Sequence, residues 1–278
     1  MELDFLLLLQ NISNPILDKI FIIVTNMGSE YFYFFAILLI YWCIDKTIGI
    51  KVLFIVVVSS FVNDLVKGFF KAERPISLEE INSLYVKSAP GYSFPSGHSQ
   101  ISASFWFYLM MKINKKIFYI IGTLIMFLVG FSRLYLRVHW PRDVFFGLIL
   151  GTFIVLVIKV VNKKVKINGS ILLYFMLLII LNLILLFVSN NTYMIVISSM
   201  TGILIGYILE NKFINFNESS TFIRQVIKFI LGISIILTNF ILFNFLPSIG
   251  IVNYLKFLMI GFTSTYVIPY VYIKLNLA

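Results

Sequence analysis

Apolar runs about as long as a bilayer is thick recur from one end of this chain to the other, and nothing else restricts its fold so strongly. A membrane-spanning helix takes about 20 consecutive apolar residues. Segments of that kind fall at residues 28–44, 51–70, 95–111, 117–134, 143–161, 171–189, 193–210, 225–245 and 251–272. Runs such as LFIVVVSSFV and LLYFMLLIILNLILLFV do not alternate as the strands of a membrane barrel would. The expected fold class is therefore all-α, a polytopic helical membrane protein with nine candidate spans. Charged residues make up 12% of the chain, about half the share usual in soluble domains. A net charge of +10 would also suit a nucleic-acid binder. Here the basic residues sit in short loops without interleaved aromatics, so the expected partner is the lipid bilayer and no nucleic acid. The single cysteine, Cys43, leaves no internal disulfide and reads as apolar filler. The opening MELDFLLLLQN is acidic and lacks a small-residue cleavage site, so no signal peptide is expected.

Lysines set the orientation. Lys46 and Lys51, then Lys112, Lys115 and Lys116, then Lys163, Lys164 and Lys166, then Lys212, Arg224 and Lys228 occupy alternate connections, with Lys274 past the last span. The opposite turns SNN at 190–192 and LPSIG at 246–250 carry none. This alternation puts the lysine-rich loops and the C-terminus in the cytoplasm. Residues 1–27, interrupted by NISNP, read as an interfacial segment of one or two helices, with a tenth crossing as the alternative the sequence leaves open. Residues 28–165 hold every reactive-looking side chain. Residues 166–278 form an extension of about four further spans whose role the sequence leaves open, as it does the oligomeric state.

Three segments carry polar and charged residues where hydropathy should tolerate few: KGFFKAERP (67–75), FPSGHS (94–99) and SRLYLRVHWPRD (132–143). All three fall at external ends of spans, and the second and third hold the only histidines, His98 and His139. Lys67, Arg74 and Arg133 converge on one interface, and arginine offers a planar donor fork that matches phosphate oxygens. Pro95-Ser96-Gly97-His98 opens a helix whose first N–H groups lack intrahelical partners and suit an anion. Gly97 lets the backbone approach closely, and Ser96 adds a hydroxyl donor. No pair of carboxylates is spaced to hold a cation, so these side chains, rather than magnesium or zinc, are expected to neutralise the charge. No cofactor is called for.

His139 and Asp143 are four apart, which on a helix puts them on one face. Asp143 can then accept from the ring Nδ1–H and leave Nε2 with a free lone pair, the arrangement of an activated nucleophile. His98 is the available proton donor to the departing oxygen. The expected cycle is attack by His139 on phosphorus, protonation of the leaving group by His98, and hydrolysis of the phosphohistidine by water that His98 activates.

These segments resemble the tripartite signature of the type-2 phosphatidic acid phosphatase superfamily. Lys67, Arg74 and Pro75 fill its first part, Pro95, Ser96, Gly97 and His98 its second, and Ser132, Arg133, His139 and Asp143 its third. The resemblance covers about residues 14–162 and says nothing of the spans beyond 165. It implies a histidine-phosphatase helical bundle with His139 as nucleophile, His98 as acid, Asp143 as orienting carboxylate and the remainder as phosphate cradle. Membrane members of this family act on phosphatidic acid, phosphatidylglycerophosphate, isoprenoid diphosphates or sugar phosphates, without metal. The expected substrate is undecaprenyl diphosphate, met at the external face of a bacterial plasma membrane. A composition rich in Ile, Lys, Asn and Phe, as in low-GC bacteria, adds to that expectation. Hydrolysis of phosphatidic acid or phosphatidylglycerophosphate, transfer of phosphate to another lipid or sugar, and non-catalytic headgroup binding or transport are the competing readings.

Other polar residues have plainer explanations. Lys71, Lys87, Arg137 and Arg142 read as headgroup anchors at span ends. Asp64, three residues before Lys67, reads as its ion-pair partner. Glu210, Asn182, Asn239 and Asn244 read as helix-packing or end residues.

Overall fold

The computed structural model describes residues 1–165, 179, 182–183, 191–247 and 249–278, with only the backbone given for 162–165 and 191–192. Every regular element among them is helical, in keeping with an all-α integral membrane protein. Six helices are long and apolar enough to cross a bilayer: Lys46–Phe70, Lys116–Tyr135, Pro141–Val161, Tyr193–Ile214, Phe222–Asn244 and Gly250–Lys274. A seventh crossing arises if Pro15–Asn26 and Glu30–Cys43, bent by 49° at their junction, form one span. The expected span at 171–189 lies outside the described residues but for three positions. The segment at 95–111 forms a helix of 17 residues, Gly97–Ile113.

The chain divides into two compact units. The first comprises Met1–Ile37 and Ile50–Lys164. It contains α1 (Glu2–Asn11), α2 (Pro15–Asn26), most of α4 (Lys46–Phe70), α5 (Gly97–Ile113), α6 (Lys116–Tyr135) and α7 (Pro141–Val165), while α3 (Glu30–Cys43) contributes its first half. Local chemistry sets several of these boundaries. Asn14 caps α2 by accepting from Ile16 N and Leu17 N, both at 3.1 Å, and Pro15 takes the first helical position, where its missing N–H costs nothing. Ser96 caps α5 in the same way.

Buried polar groups bind α4, α5 and α7 together beneath the three segments. Gln100 Nε2 donates to Ser59 O at 2.7 Å, and its Oε1 accepts from Asn63 Nδ2 at 2.8 Å. Ser104 Oγ meets Ser59 Oγ at 2.9 Å and donates to Gly151 O at 3.1 Å. Gly147 and Gly151, one turn apart on α7, bring that helix onto the backbone of α5. A Cβ at either position would collide with the carbonyls of Ser96 or Gln100.

The second unit comprises Leu38–Gly49 and Val165–Ala278. Its described helices are α8 (Asn191–Leu209), α9 (Phe222–Asn244), α10 (Gly250–Phe262) and α11 (Ile268–Lys274), with π-helical turns at Glu210–Ile214 and Thr263–Val267. A buried ion pair anchors it. Lys46 Nζ donates to Glu210 Oε1 at 2.9 Å, Asn215 Oδ1 at 3.0 Å and Phe216 O at 3.2 Å. The polar residues of the extension make helix-to-helix contacts: Asn182 with Thr201 and Tyr254, Asn239 with Thr263, and Asn244 with Lys256. Cys43 is a free, half-buried thiol.

Candidate active site

The third segment departs from the regular helix that its spacing suggested. Pro141 starts α7, so His139 stands in the loop before the helix and Asp143 in its first turn. Arg137 takes a left-handed conformation (φ 57°) that turns the chain between α6 and α7. Asp143 reaches back over the helix start, where Oδ2 accepts from Trp140 N at 2.9 Å, from Ser93 Oγ at 2.5 Å and from His139 Nδ1 at 3.2 Å. The histidine and the carboxylate thus meet at a helix cap and not on one helical face. Both are buried, and Asp143 Oδ1 is buried without a partner.

The ring tautomer follows from its other neighbour. Arg74 Nη1 lies 2.9 Å from His139 Nε2, and a guanidinium can only donate. Nε2 therefore carries the lone pair, and Nδ1 carries the hydrogen given to Asp143. Arg74 is itself fixed by backbone: Nε donates to Gly91 O at 2.9 Å, Nη2 to Pro90 O at 2.9 Å and Tyr92 O at 3.0 Å, and Nη1 to Val138 O at 2.8 Å. Burial pushes its pKa down to about 10, with Asp143 opposing, so it stays cationic at neutral pH. Burial also pushes the His139 pKa well below its ordinary value, and the charges of Arg74, Arg133 and Lys67 add to that push.

The remaining expected residues belong to the same cluster. Ser96 N donates to Asp143 O at 2.9 Å, tying the start of α5 to α7. Ser96 Oγ accepts from Ser99 Oγ at 2.9 Å, which leaves its own hydrogen to donate. A Cβ at Gly97 would stand 3.2 Å from Asn63 Oδ1 and 3.9 Å from Lys67 Nζ, so glycine keeps the space beside that ammonium open. Arg133 is fully buried. Its Nη1 donates to Thr25 Oγ1 at 2.7 Å and Ser88 Oγ at 2.9 Å, its Nη2 donates to Ser88 O at 3.0 Å, and its Nε has no partner. The ring of His139 and the charges of Arg133, Lys67 and Arg74 all act on His98. His139, His98, Asp143, Lys67, Arg74, Ser96, Gly97 and Arg133 therefore gather in one site of the first unit. Among the described residues no three His, Cys, Asp or Glu side chains come together to hold a metal ion.

The region from residue 48 to 167 matches the family model of the PAP2 superfamily, and residues 195–278 match that of the PAP2 superfamily phosphatase transmembrane extension. The chain belongs to the PAP2 superfamily. Within it, the undecaprenyl-diphosphatase of Sulfolobus acidocaldarius is 31% identical over 140 residues, covering 50% of this chain and 67% of that protein. Phosphatidylglycerophosphatase B of Bacillus subtilis is 29% identical over 168 residues, covering 56% of this chain and 80% of that protein. The crystal structure of Aquifex aeolicus LpxE superposes with a TM-score of 0.50 at 29% identity, over 56% of this chain and 93% of that one. This PAP2 member is a lipid phosphatase, embedded in the membrane.

Several neighbours of the PAP2 site gave little sequence signal. Ser93 binds the carboxylate of Asp143 but reads as an ordinary loop serine. Asn63 lies inside an apolar span, four residues before Lys67, and that spacing on a helix was the available clue. Arg137 is not a headgroup anchor. It is buried, donates from Nε to Asn82 O at 2.6 Å and lies over the Tyr135 ring, because its left-handed turn tucks it under the loop at 81–84. Arg142 pairs with Glu2 at 3.2 Å. Asp64 influences Lys67 by its charge, but among the described residues no direct ion pair joins them.

Proposed function

We propose that this phosphatase hydrolyses a polyprenyl diphosphate, undecaprenyl diphosphate foremost, through a phosphohistidine formed at His139. The observation that carries the reading is the unprotonated Nε2 of His139, backed by Asp143 and surrounded by Lys67, Arg74 and Arg133. Three cations suit the charge of a phosphoryl group in transfer, where positioning and electrostatic stabilisation do most of the work. In the first step Nε2 bonds to the terminal phosphorus while the P–O bond to the leaving lipid phosphate breaks, and His98 supplies the proton that leaves with it. In the second, water attacks the phosphorus and the P–N bond breaks, His98 takes the water's proton, and orthophosphate departs with Nε2 restored. The alternating lysine-rich loops support a site on the external face of a bacterial plasma membrane and a cytoplasmic C-terminus. The name of the Sulfolobus relative supports the diphosphate, and that of the Bacillus relative makes phosphatidylglycerophosphate the alternative to test beside it.

The test is phosphate release by the purified chain from undecaprenyl diphosphate, phosphatidylglycerophosphate and phosphatidic acid, in excess EDTA, with His139→Ala in parallel. Release that persists in EDTA, disappears in the variant and is fastest on the diphosphate is the expected result. An acid-labile, base-stable phosphoenzyme trapped by rapid quench should accompany it. No release from any of the three by folded protein would sink the hydrolase reading, and a faster phosphatidylglycerophosphate reaction would replace the substrate.

A further inference from the structure

Residues before 48 lie outside the stretch that matches the PAP2 family model, although the resemblance in sequence reaches back to about residue 14, and none of the three signature segments calls for them. Yet the end of α2 is built against two members of the site. Thr25 is fully buried, and its Oγ1 accepts from Arg133 Nη1 at 2.7 Å. Together with Ser88 it engages both terminal nitrogens of that guanidinium and leaves Nε as the buried donor without a partner. Three residues on, at the 49° bend between α2 and α3, Gly28 touches the other member. A Cβ there would stand 3.0 Å from His98 Cδ2, 3.3 Å from His98 Cβ and 2.6 Å from Val129 Cγ1. No such atom fits unless the imidazole or Val129 gives way. The placement of α2 is secured independently of these contacts. Tyr135 OH donates to Asp18 Oδ1 at 2.7 Å, Phe21 stacks on Tyr135 at 4.1 Å between centroids, and Tyr85 OH meets Asn26 Oδ1 at 3.3 Å.

We infer that the N-terminal helices complete the active site, with Thr25 and Gly28 as positioning residues for Arg133 and His98. Thr25 immobilises the guanidinium so that Nε and the unspent N–H serve the phosphoryl oxygens. Gly28 forms the wall that keeps the His98 ring within reach of the leaving oxygen. The inference rests on the roles proposed above for Arg133 and His98, and extends the site to a segment with no assigned part in it. The two roles leave different kinetic marks. An arginine on the phosphoryl group matters whatever the leaving group, because its charge stabilises the transferring phosphate. A general acid matters for a poor leaving group and little for a good one.

The experiment uses the full chain in detergent with two soluble substrates, decyl phosphate and p-nitrophenyl phosphate. Thr25→Val keeps the side-chain shape and removes the acceptor. It should lower kcat roughly tenfold on both substrates, the worth of one such hydrogen bond, with the unfolding midpoint down by a few degrees because a buried N–H loses its acceptor, and Thr25→Ser should restore both. Gly28→Ala should lower kcat at least about tenfold on decyl phosphate and far less on p-nitrophenyl phosphate, matching His98→Ala in pattern. Wild-type kcat in Thr25→Val, or an equal loss in Thr25→Ser, would overturn the Thr25 assignment. For Gly28→Ala, an equal loss on both substrates beside a leaving-group-dependent His98→Ala would show that Gly28 serves packing only. If His98→Ala itself is indifferent to the leaving group, the acid role falls and the Gly28 assignment falls with it. The Thr25 arm is decided by its own readout in either case.

Discussion

Replacing Asp143 by asparagine isolates the charge of the carboxylate from its hydrogen-bonding shape. Oδ2 accepts from Ser93 Oγ, Trp140 N and His139 Nδ1, whereas Oδ1 is buried without a partner. An asparagine satisfies all three donors only by placing its oxygen where Oδ2 stands, so the histidine tautomer is retained. Its NH2 then occupies the position of Oδ1, a buried donor with nothing to bond. That costs about 1–3 kcal/mol, or roughly 2–5 °C in midpoint for a chain of this size. The kinetic cost is larger. In the proposed first step the imidazole becomes cationic as Nε2 attacks phosphorus, and the lost anion sits 3.2 Å from Nδ1. At an effective dielectric of about 20, two unit charges at that distance interact by about 5 kcal/mol. Asp143→Asn should therefore lower kcat on the order of 10³–10⁴-fold, with KM for the lipid much less affected. The assay is phosphate release at saturating substrate, beside a thermal scan of the same sample. A folded variant that keeps more than a tenth of the wild-type kcat would refute the view that Asp143 stabilises positive charge on His139.

Three further outcomes follow from the same geometry. The His139 pKa is depressed by burial and by Arg74, Arg133 and Lys67, so the unfolded chain binds a proton below about 6.5 that the native site refuses. This contribution to stability is complete above that pH and is lost as the pH falls below it. The acid limb of kcat/KM should accordingly lie below about 6.5, and a limb above that value assigned to His139 would contradict the burial argument. Arg74→Lys cannot serve the carbonyls of Pro90, Gly91, Tyr92 and Val138 with three N–H groups, and a loss of at least about 3 kcal/mol in denaturant unfolding is expected, along with at least a hundredfold loss of kcat. In the second unit, Lys46→Met strands the buried Glu210 and should cost about 3–5 kcal/mol. Adding Glu210→Gln should recover part of that loss in the same thermal scan, and no recovery would argue against the ion pair.

What could be read from the sequence, and what could not, divides along a physical line. His98, His139, Asp143, Lys67, Arg74 and Arg133 were visible because each is a polar group at the end of an apolar run, where its burial demands a reason. The site's supporting contacts were not, because they join residues far apart in the chain. Arg133 meets Thr25 across 108 positions and Asp143 meets Ser93 across 50, and no periodicity carries such pairings. Spacing also misled at short range. Four residues from His139 to Asp143 suggested a shared helical face, but Pro141 begins the helix, and the two groups meet through a cap instead. Charge alone misplaced Arg137, which lies buried under a loop that its own left-handed turn positions. The close approach of α7 to α5 is written in Gly147 and Gly151, a spacing that hydropathy does not register.

Under the proposed mechanism the donors of Arg74 would tie substrate binding to release of the nucleophile. A guanidinium has five N–H groups. Here four go to the carbonyls of Gly91, Pro90, Tyr92 and Val138, and the fifth goes to the lone pair of His139 Nε2. The carbonyl bonds belong to the loop and helix cap that build the site, so giving them up would dismantle it. Only the fifth N–H can pass to a phosphoryl oxygen without that loss; the other four hold the planar guanidinium still, so the exchange moves the His139 ring off that donor and frees the lone pair that attacks. A dianionic phosphate outcompetes a neutral imidazole for such a donor, since it adds a direct charge–charge attraction to the guanidinium that the imidazole lacks. Under the proposed mechanism one hydrogen bond thus both keeps His139 in the reactive tautomer and yields to the charge of the substrate. Lysine at position 74 could supply the charge but not this exchange, because three N–H groups cannot serve four carbonyls and still offer a donor to the phosphate. Its kcat should therefore fall further than the loss of one phosphate contact accounts for.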